Sequence, residues 1–196
     1  MTVADDNCPR IERTQSGLRH KLSGRLGSLK RSMSSFASIK RTQPGPGQES
    51  VWDYPRPPRL EKSLGRVRVY LHGKLLLDST RAVRVLETSH PPTFYIPPED
   101  VQMDMLTPAS RSTYCEWKGS AKYYDAPGVQ SIGWCYPNPT PLAASIANYM
   151  AFYPSKVDRA LVDDEEVQAQ AGDFYGGWIT SNIVGPFKGD AGTRNW

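Results

Sequence analysis

Arg66-Val67-Arg68-Val69-Tyr70-Leu71-His72-Gly73-Lys74-Leu75-Leu76-Leu77-Asp78-Ser79 is the stretch that decides the fold. Arg66–Leu71 alternates polar and apolar side chains, the period-two pattern of a strand with one face on a core. His72-Gly73 supplies a two-residue turn of the Xaa-Gly kind, and Lys74–Ser79 returns as the second strand of a hairpin. Further along, Ala82-Val83-Arg84-Val85-Leu86 reads as a third strand ending at Glu87. Thr93-Phe94-Tyr95-Ile96 reads as a fourth, closed by Pro97-Pro98. Glu99-Asp100-Val101 predicts a short helical turn with acids at its start, where the helix dipole favours them. Ser131–Tyr136 and Tyr149–Tyr153 are aromatic runs stopped by prolines, and residues 141–150 have room for one helix. Many short strands between Gly/Pro turns indicate a mainly β, antiparallel domain with one or two short helices.

Upstream of the hairpin, Val51-Trp52-Asp53-Tyr54-Pro55-Arg56-Pro57-Pro58 carries three prolines in four positions. They exclude a helix and predict an extended strap, pinned to the core by Trp52 and Tyr54. Downstream, the segment from Gly172 through Phe174-Tyr175-Gly176-Gly177-Trp178 to Trp196 is too glycine-rich for regular structure, and its aromatic residues are expected to pack onto the body.

The 196 residues carry 24 Lys/Arg against 20 Asp/Glu, a net charge of +4. The excess is local: residues 1–49 hold nine basic and four acidic residues, leaving 15 and 16 for residues 50–196. A folded nucleic-acid face is therefore not indicated for the body. The chain divides into an N-terminal basic arm, 1–49, and a β-rich domain, 50–196, large enough for a core without staples. In the arm, Leu18, Leu22, Leu26, Leu29, Met33 and Phe36 recur at helical spacing with basic residues between them. Gly24, Gly27 and many serines oppose a stable helix. The arm reads as a disordered tail, with a helix formed against a membrane surface, an acidic protein or RNA as the alternative. Three cysteines make no disulfide framework, no apolar run reaches the length of a membrane span, and no signal segment is visible. A soluble cytoplasmic protein is the expectation.

Tyr114-Cys115-Glu116-Trp117-Lys118-Gly119-Ser120-Ala121-Lys122-Tyr123-Tyr124 is the densest cluster of chemistry in the chain. It reads as two aromatic strands folded over a turn at Lys118-Gly119. A two-residue turn sets Cys115 opposite Lys122, and a three-residue loop sets Glu116 there; turn chemistry favours the first and face segregation the second. Alternation puts Cys115 with Trp117 on the core face, where a thiol acts as a small hydrophobe unless a nearby cation activates it.

Four blocks resemble the family catalogued as domain of unknown function 427, sometimes labelled nucleotidyltransferase. They are Val51–Pro58; Gly73 through Asp78-Ser79 to Glu87; Tyr95-Ile96-Pro97 with Asp100-Val101; and Cys115-Glu116-Trp117-Lys118-Gly119 with Tyr123. Trp134, Tyr136, Pro139 and Ala151-Phe152-Tyr153 fit its later part, and Phe174-Tyr175-Gly176-Gly177-Trp178 is similar to the tail of its longer, eukaryotic-type members. The resemblance implies a β-tent-like fold and no established reaction. The paired Cys-x-x-Cys of zinc-bearing β-tent proteins is missing, and His20, His72 and His90 show no ligand spacing, so no metal is expected. No glycine-rich phosphate loop or magnesium-binding acidic cluster supports the nucleotidyltransferase label, and no cofactor is expected.

The residues themselves allow a small-molecule pocket lined by Tyr95, Trp117, Tyr123 and Trp134. Lys118, Glu87 and Cys115 are its candidate catalytic groups, and a Lys/Glu pair among aromatics suits acid–base chemistry such as isomerisation or cyclisation. Arg84 and Asp100 are further binding candidates, although Asp100 is equally a helix cap and Arg84 an ordinary strand arginine. The alternative is a non-catalytic interaction module acting through its arm.

Overall fold

The hairpin that decides the fold forms as its sequence requires. In a computed structural model describing residues 39–172, 174–193 and 196, Val67–Leu71 and Lys74–Ser79 pair antiparallel. His72 and Gly73 have φ of 52° and 70°, the left-handed pair that a tight two-residue hairpin turn needs. The register shifts after Val69, so that Leu76 is an extra residue and both Leu76 and Leu77 are buried. The readings of residues 1–38, and Cys8 with them, lie outside the described residues.

The chain is mainly β, in several largely antiparallel sheets. The hairpin is extended by Arg159–Val162 and Glu165–Glu166 into a four-stranded sheet. A three-stranded sheet joins Arg59–Lys62, Val83–Leu86 and Thr93–Tyr95. A second four-stranded sheet runs in the order Ala151–Phe152, Val129–Cys135, Gly119–Ala126, Thr107–Cys115. Two small ribbons bring in the C-terminal segment. Gln168–Ala169 pairs with Trp178–Ile179, and Glu49–Ser50 pairs in parallel with Ile183–Val184. The body's contacts reach back to Thr42, whose amide donates to the Gly185 carbonyl, and to Arg41 over the Trp52 ring.

Among the described residues, helix is confined to short 3-10 turns. Pro98–Asp100 is the acidic turn expected after Pro97, and Pro141–Ile146 occupies part of the predicted 141–150 helix. The expectation of an extended strap is corrected at its start: Val51–Asp53 forms a 3-10 turn capped by the Ser50 hydroxyl, since the prolines begin only at Pro55. Trp52 and Tyr54 are buried there. The tail is corrected likewise, because its glycines do not prevent Trp178–Ile179 and Ile183–Val184 from pairing as two-residue strands. No described helix is long and apolar enough to cross a membrane.

Strand alternation divides the interior into two clusters. Phe94, Cys135, Phe152 and Trp178 point into an aliphatic core with Val67, Leu71 and Leu77. Their sequence neighbours Tyr95, Trp134, Tyr136, Ala151 and Tyr153 point the other way, into a second cluster with Tyr123 and Ile146. This second, aromatic cluster is where the chain opens.

Candidate functional site

A cleft of about 500 Å³ lies over the aromatic cluster. Its floor is built from adjacent strands: Tyr95, Tyr123, Trp134, Tyr136 and Tyr153 all line it. Trp134 Nε1 donates to Tyr95 Oη at 3.2 Å, and the two rings meet edge to face at 6.4 Å. Tyr153 lies against the other side of the indole, 4.6 Å between centroids. Burial pushes the phenols of Tyr95, Tyr136 and Tyr153 well above their ordinary range, so all three stay protonated.

The Tyr114–Tyr124 hairpin supplies one wall, in neither of the two registers expected. Cys115 pairs with Gly119, Tyr114 with Ser120 and Ser112 with Lys122, leaving Glu116-Trp117-Lys118 as the loop. Gly119, with φ of 96°, closes this loop, which begins two residues before the Lys118-Gly119 turn read from sequence. Its Cβ would lie 3.3 Å from the Asn138 carbonyl, and the neighbouring Thr140 secures the loop. The Thr140 hydroxyl donates to the Trp117 carbonyl at 2.5 Å, and its amide donates to that of Lys118 at 3.2 Å. Trp117 is thus a half-buried loop residue rather than a core partner of Cys115 on a strand face. Lys122 is exposed opposite Ser112 and does not approach the thiol by pairing. Cys115, Trp117 and Lys118 all line the cleft, with Lys118 Nζ 6.0 Å from the centre of the Tyr136 ring.

Seven of the nine candidate residues therefore stand around one cavity: Glu87, Tyr95, Cys115, Trp117, Lys118, Tyr123 and Trp134. Glu87 is not ion-paired with Lys118. It forms an ion pair with Arg56 at 3.2 Å. Arg84 and Asp100 lie elsewhere. Arg84 bridges Glu49 and Glu61 beside a second cavity, and Asp100 accepts from the Ser79 hydroxyl at 2.6 Å while pairing with Arg81. Both belong to ion pairs that join parts of the fold.

Several lining residues were not site candidates from sequence, among them His90, Gln170, Tyr175 and Lys188. The His90 and Tyr175 rings meet edge to face at 4.5 Å, and Lys188 Nζ sits 5.6 Å from the Tyr175 ring centre. Burial holds the His90 imidazole at about 3, helped by the positive charges of Lys188, Arg56 and Lys118, so it is neutral at physiological pH. Burial and Arg56 lower Lys188 as well, with Glu87 opposing them. The one available sequence signal was the Gly176-Gly177 pair. A Cβ on Gly177 would fall 2.3 Å from Gln170 Oε1, so glycine is what allows this segment to approach Gln170. Among the described residues, no three His, Cys, Asp or Glu side chains come together as a metal would need.

A family model described as a domain of unknown function (DUF427) matches residues 59–163, more than half of the chain, and the chain belongs to that family. No curated protein matches it. The matched span carries the aromatic floor and the Cys115–Lys118 wall, while Gln170, Tyr175 and Lys188 lie beyond it.

Proposed function

We propose that this DUF427 chain binds a small planar molecule in the aromatic cleft and that the site is equipped for acid–base chemistry such as isomerisation or cyclisation. One observation carries the reading. Lys118 and Glu87 enter the same concave cavity as Tyr95, Trp134 and Tyr153, instead of being splayed over a filled surface. An indole flanked by phenols offers stacking and edge contacts to a flat, unsaturated body. Lys118 on the hairpin loop is the group free to move a proton, whereas Glu87 is held by Arg56 and serves to fix that guanidinium. Cys115 adds a half-buried thiol to the same wall.

An unbiased metabolite screen by thermal shift, on wild type and Lys118→Ala, tests this. The expected result is one ligand class that raises the melting temperature of the wild type and raises that of the variant less. A wild type unmoved by every class would discard the pocket reading in favour of an interaction module working through the basic arm.

A further inference from the structure

We propose that His90 receives the charged oxygen of the ligand, donating a hydrogen bond from Nε2–H, and that the ligand is a planar organic carboxylate. This rests on the cleft being a ligand site and names the chemistry that site selects. The argument begins at Gln170, a buried amide whose orientation is set by two main-chain groups. Its Oε1 accepts from the Gly177 amide at 3.1 Å, and its Nε2 donates to the Lys188 carbonyl at 2.6 Å. Exchanging the amide's two ends would set oxygen against oxygen and nitrogen against N–H, so the assignment is forced. The same Nε2 lies 3.1 Å from His90 Nδ1, which must then be the acceptor. An imidazole that accepts at Nδ1 and is neutral carries its proton on Nε2. Among the described residues nothing accepts that proton, and His90 lines the cleft.

The charges around the ring point the same way. Arg56, Lys118 and Lys188 all lie close enough to disfavour a charged imidazole. Arg56 is satisfied by Glu87 and Lys188 by an oxygen of Trp196 at 2.6 Å, whereas among the described residues Lys118 forms no ion pair and rests over Tyr136. A neutral donor near a cation lacking a carboxylate partner is a receptor for one negative oxygen. An aromatic floor beneath it asks that the oxygen be attached to something flat. A charged imidazole would not be needed and is not formed, so His90 acts in binding as a fixed donor and not as a base.

Two measurements on the full chain test the proposal. Side-chain ¹⁵N NMR, with His90 assigned through His90→Gln, is expected to show one imidazole in the Nε2–H form that does not titrate between pH 8 and pH 5. An Nδ1–H form, or titration near 6.5, overturns the proposal without any ligand. Cinnamate and cinnamyl alcohol then serve as a charged and a neutral probe, followed by tryptophan fluorescence and calorimetry. Cinnamate is expected to bind more tightly, and His90→Phe to weaken it about tenfold or more while leaving the alcohol within about twofold. His90→Gln, which keeps an N–H donor, is expected to retain cinnamate within about threefold of wild type. Equal binding of the two probes, or equal losses in His90→Phe, overturns the carboxylate and leaves the cleft standing. Failure of both probes to bind the wild type overturns the planar carboxylate, and the thermal-shift screen alone decides the cleft.

Discussion

A Cβ on Gly176 would lie 2.3 Å from Cη2 of Trp134, so the tail rests its bare backbone directly on the floor of the cleft. Gly176→Ala must push the tail and the indole apart. We expect a loss of about 1–3 kcal/mol in urea unfolding, the usual cost of overpacking, together with a shift in tryptophan emission. Unchanged stability and emission would mean that the tail does not sit on Trp134.

The indole also acts as a donor. Trp134→Phe leaves the wholly buried Tyr95 hydroxyl without the N–H it accepts. The expected cost is about 1–3 kcal/mol beyond that of the smaller ring. Because Tyr95→Phe removes the other partner, the double variant should recover about 1 kcal/mol relative to the sum of the singles. Strict additivity would show that the two groups do not interact.

His90 makes stability depend on pH on the acid side. Its folded value of about 3 lies below the ordinary 6.5, so between these limits the unfolded chain binds a proton that the folded chain refuses. The stability from keeping the ring neutral is full above pH 6.5 and declines as the pH falls towards 3, by at most about 1.4 kcal/mol per pH unit. Urea midpoints taken from pH 7 to pH 5 should show this decline in the wild type and not in His90→Gln. An identical slope in both would remove His90 as its source.

Arg84 holds two carboxylates, Glu49 at 2.5 Å and Glu61, the second more closely still. Burial works to raise Glu61, but its bonds with Arg84 prevail and hold it below its ordinary range. That contribution is present above the ordinary Glu value, near 4.3, and is lost as the pH falls through the lower folded value. Arg84→Met should cost about 2 kcal/mol at pH 7, less than for a fully buried pair because both glutamates are about a third exposed. The gap between variant and wild type should narrow at pH 3. A gap independent of pH would point to lost packing alone.

What the sequence made legible follows from local rules. Alternation and the His72-Gly73 turn forced the central hairpin, and Pro97-Pro98 ended the Tyr95 strand where expected. The aromatic stretch around Lys118 identified one wall of the cleft because Cys, Trp and Lys cannot crowd together without making a local environment. Its register was not legible, because the deciding contact comes from Thr140, some twenty residues on, which anchors the loop at Trp117 and Lys118. Arg84 and Asp100 look like binding residues until their partners at Glu49, Glu61, Ser79 and Arg81 are known. The His90 side was hidden most deeply. Gln170 lies 80 positions from His90, and its orientation is fixed by the main chain of residues 177 and 188.

The parallel pairing of Glu49–Ser50 with Ile183–Val184 sets an order on biosynthesis. A ribosome delivers the Glu49 strand first and its partner more than a hundred residues later, so this edge cannot close until residue 184 has emerged. Gln170, Tyr175 and Lys188 reach the cleft in the same late arrival. During translation the floor, with Tyr95 and Trp134, can assemble on earlier strands while one wall is still unmade. A nascent chain halted before the tail would present those rings to solvent, a surface that chaperones recognise and that aggregation exploits.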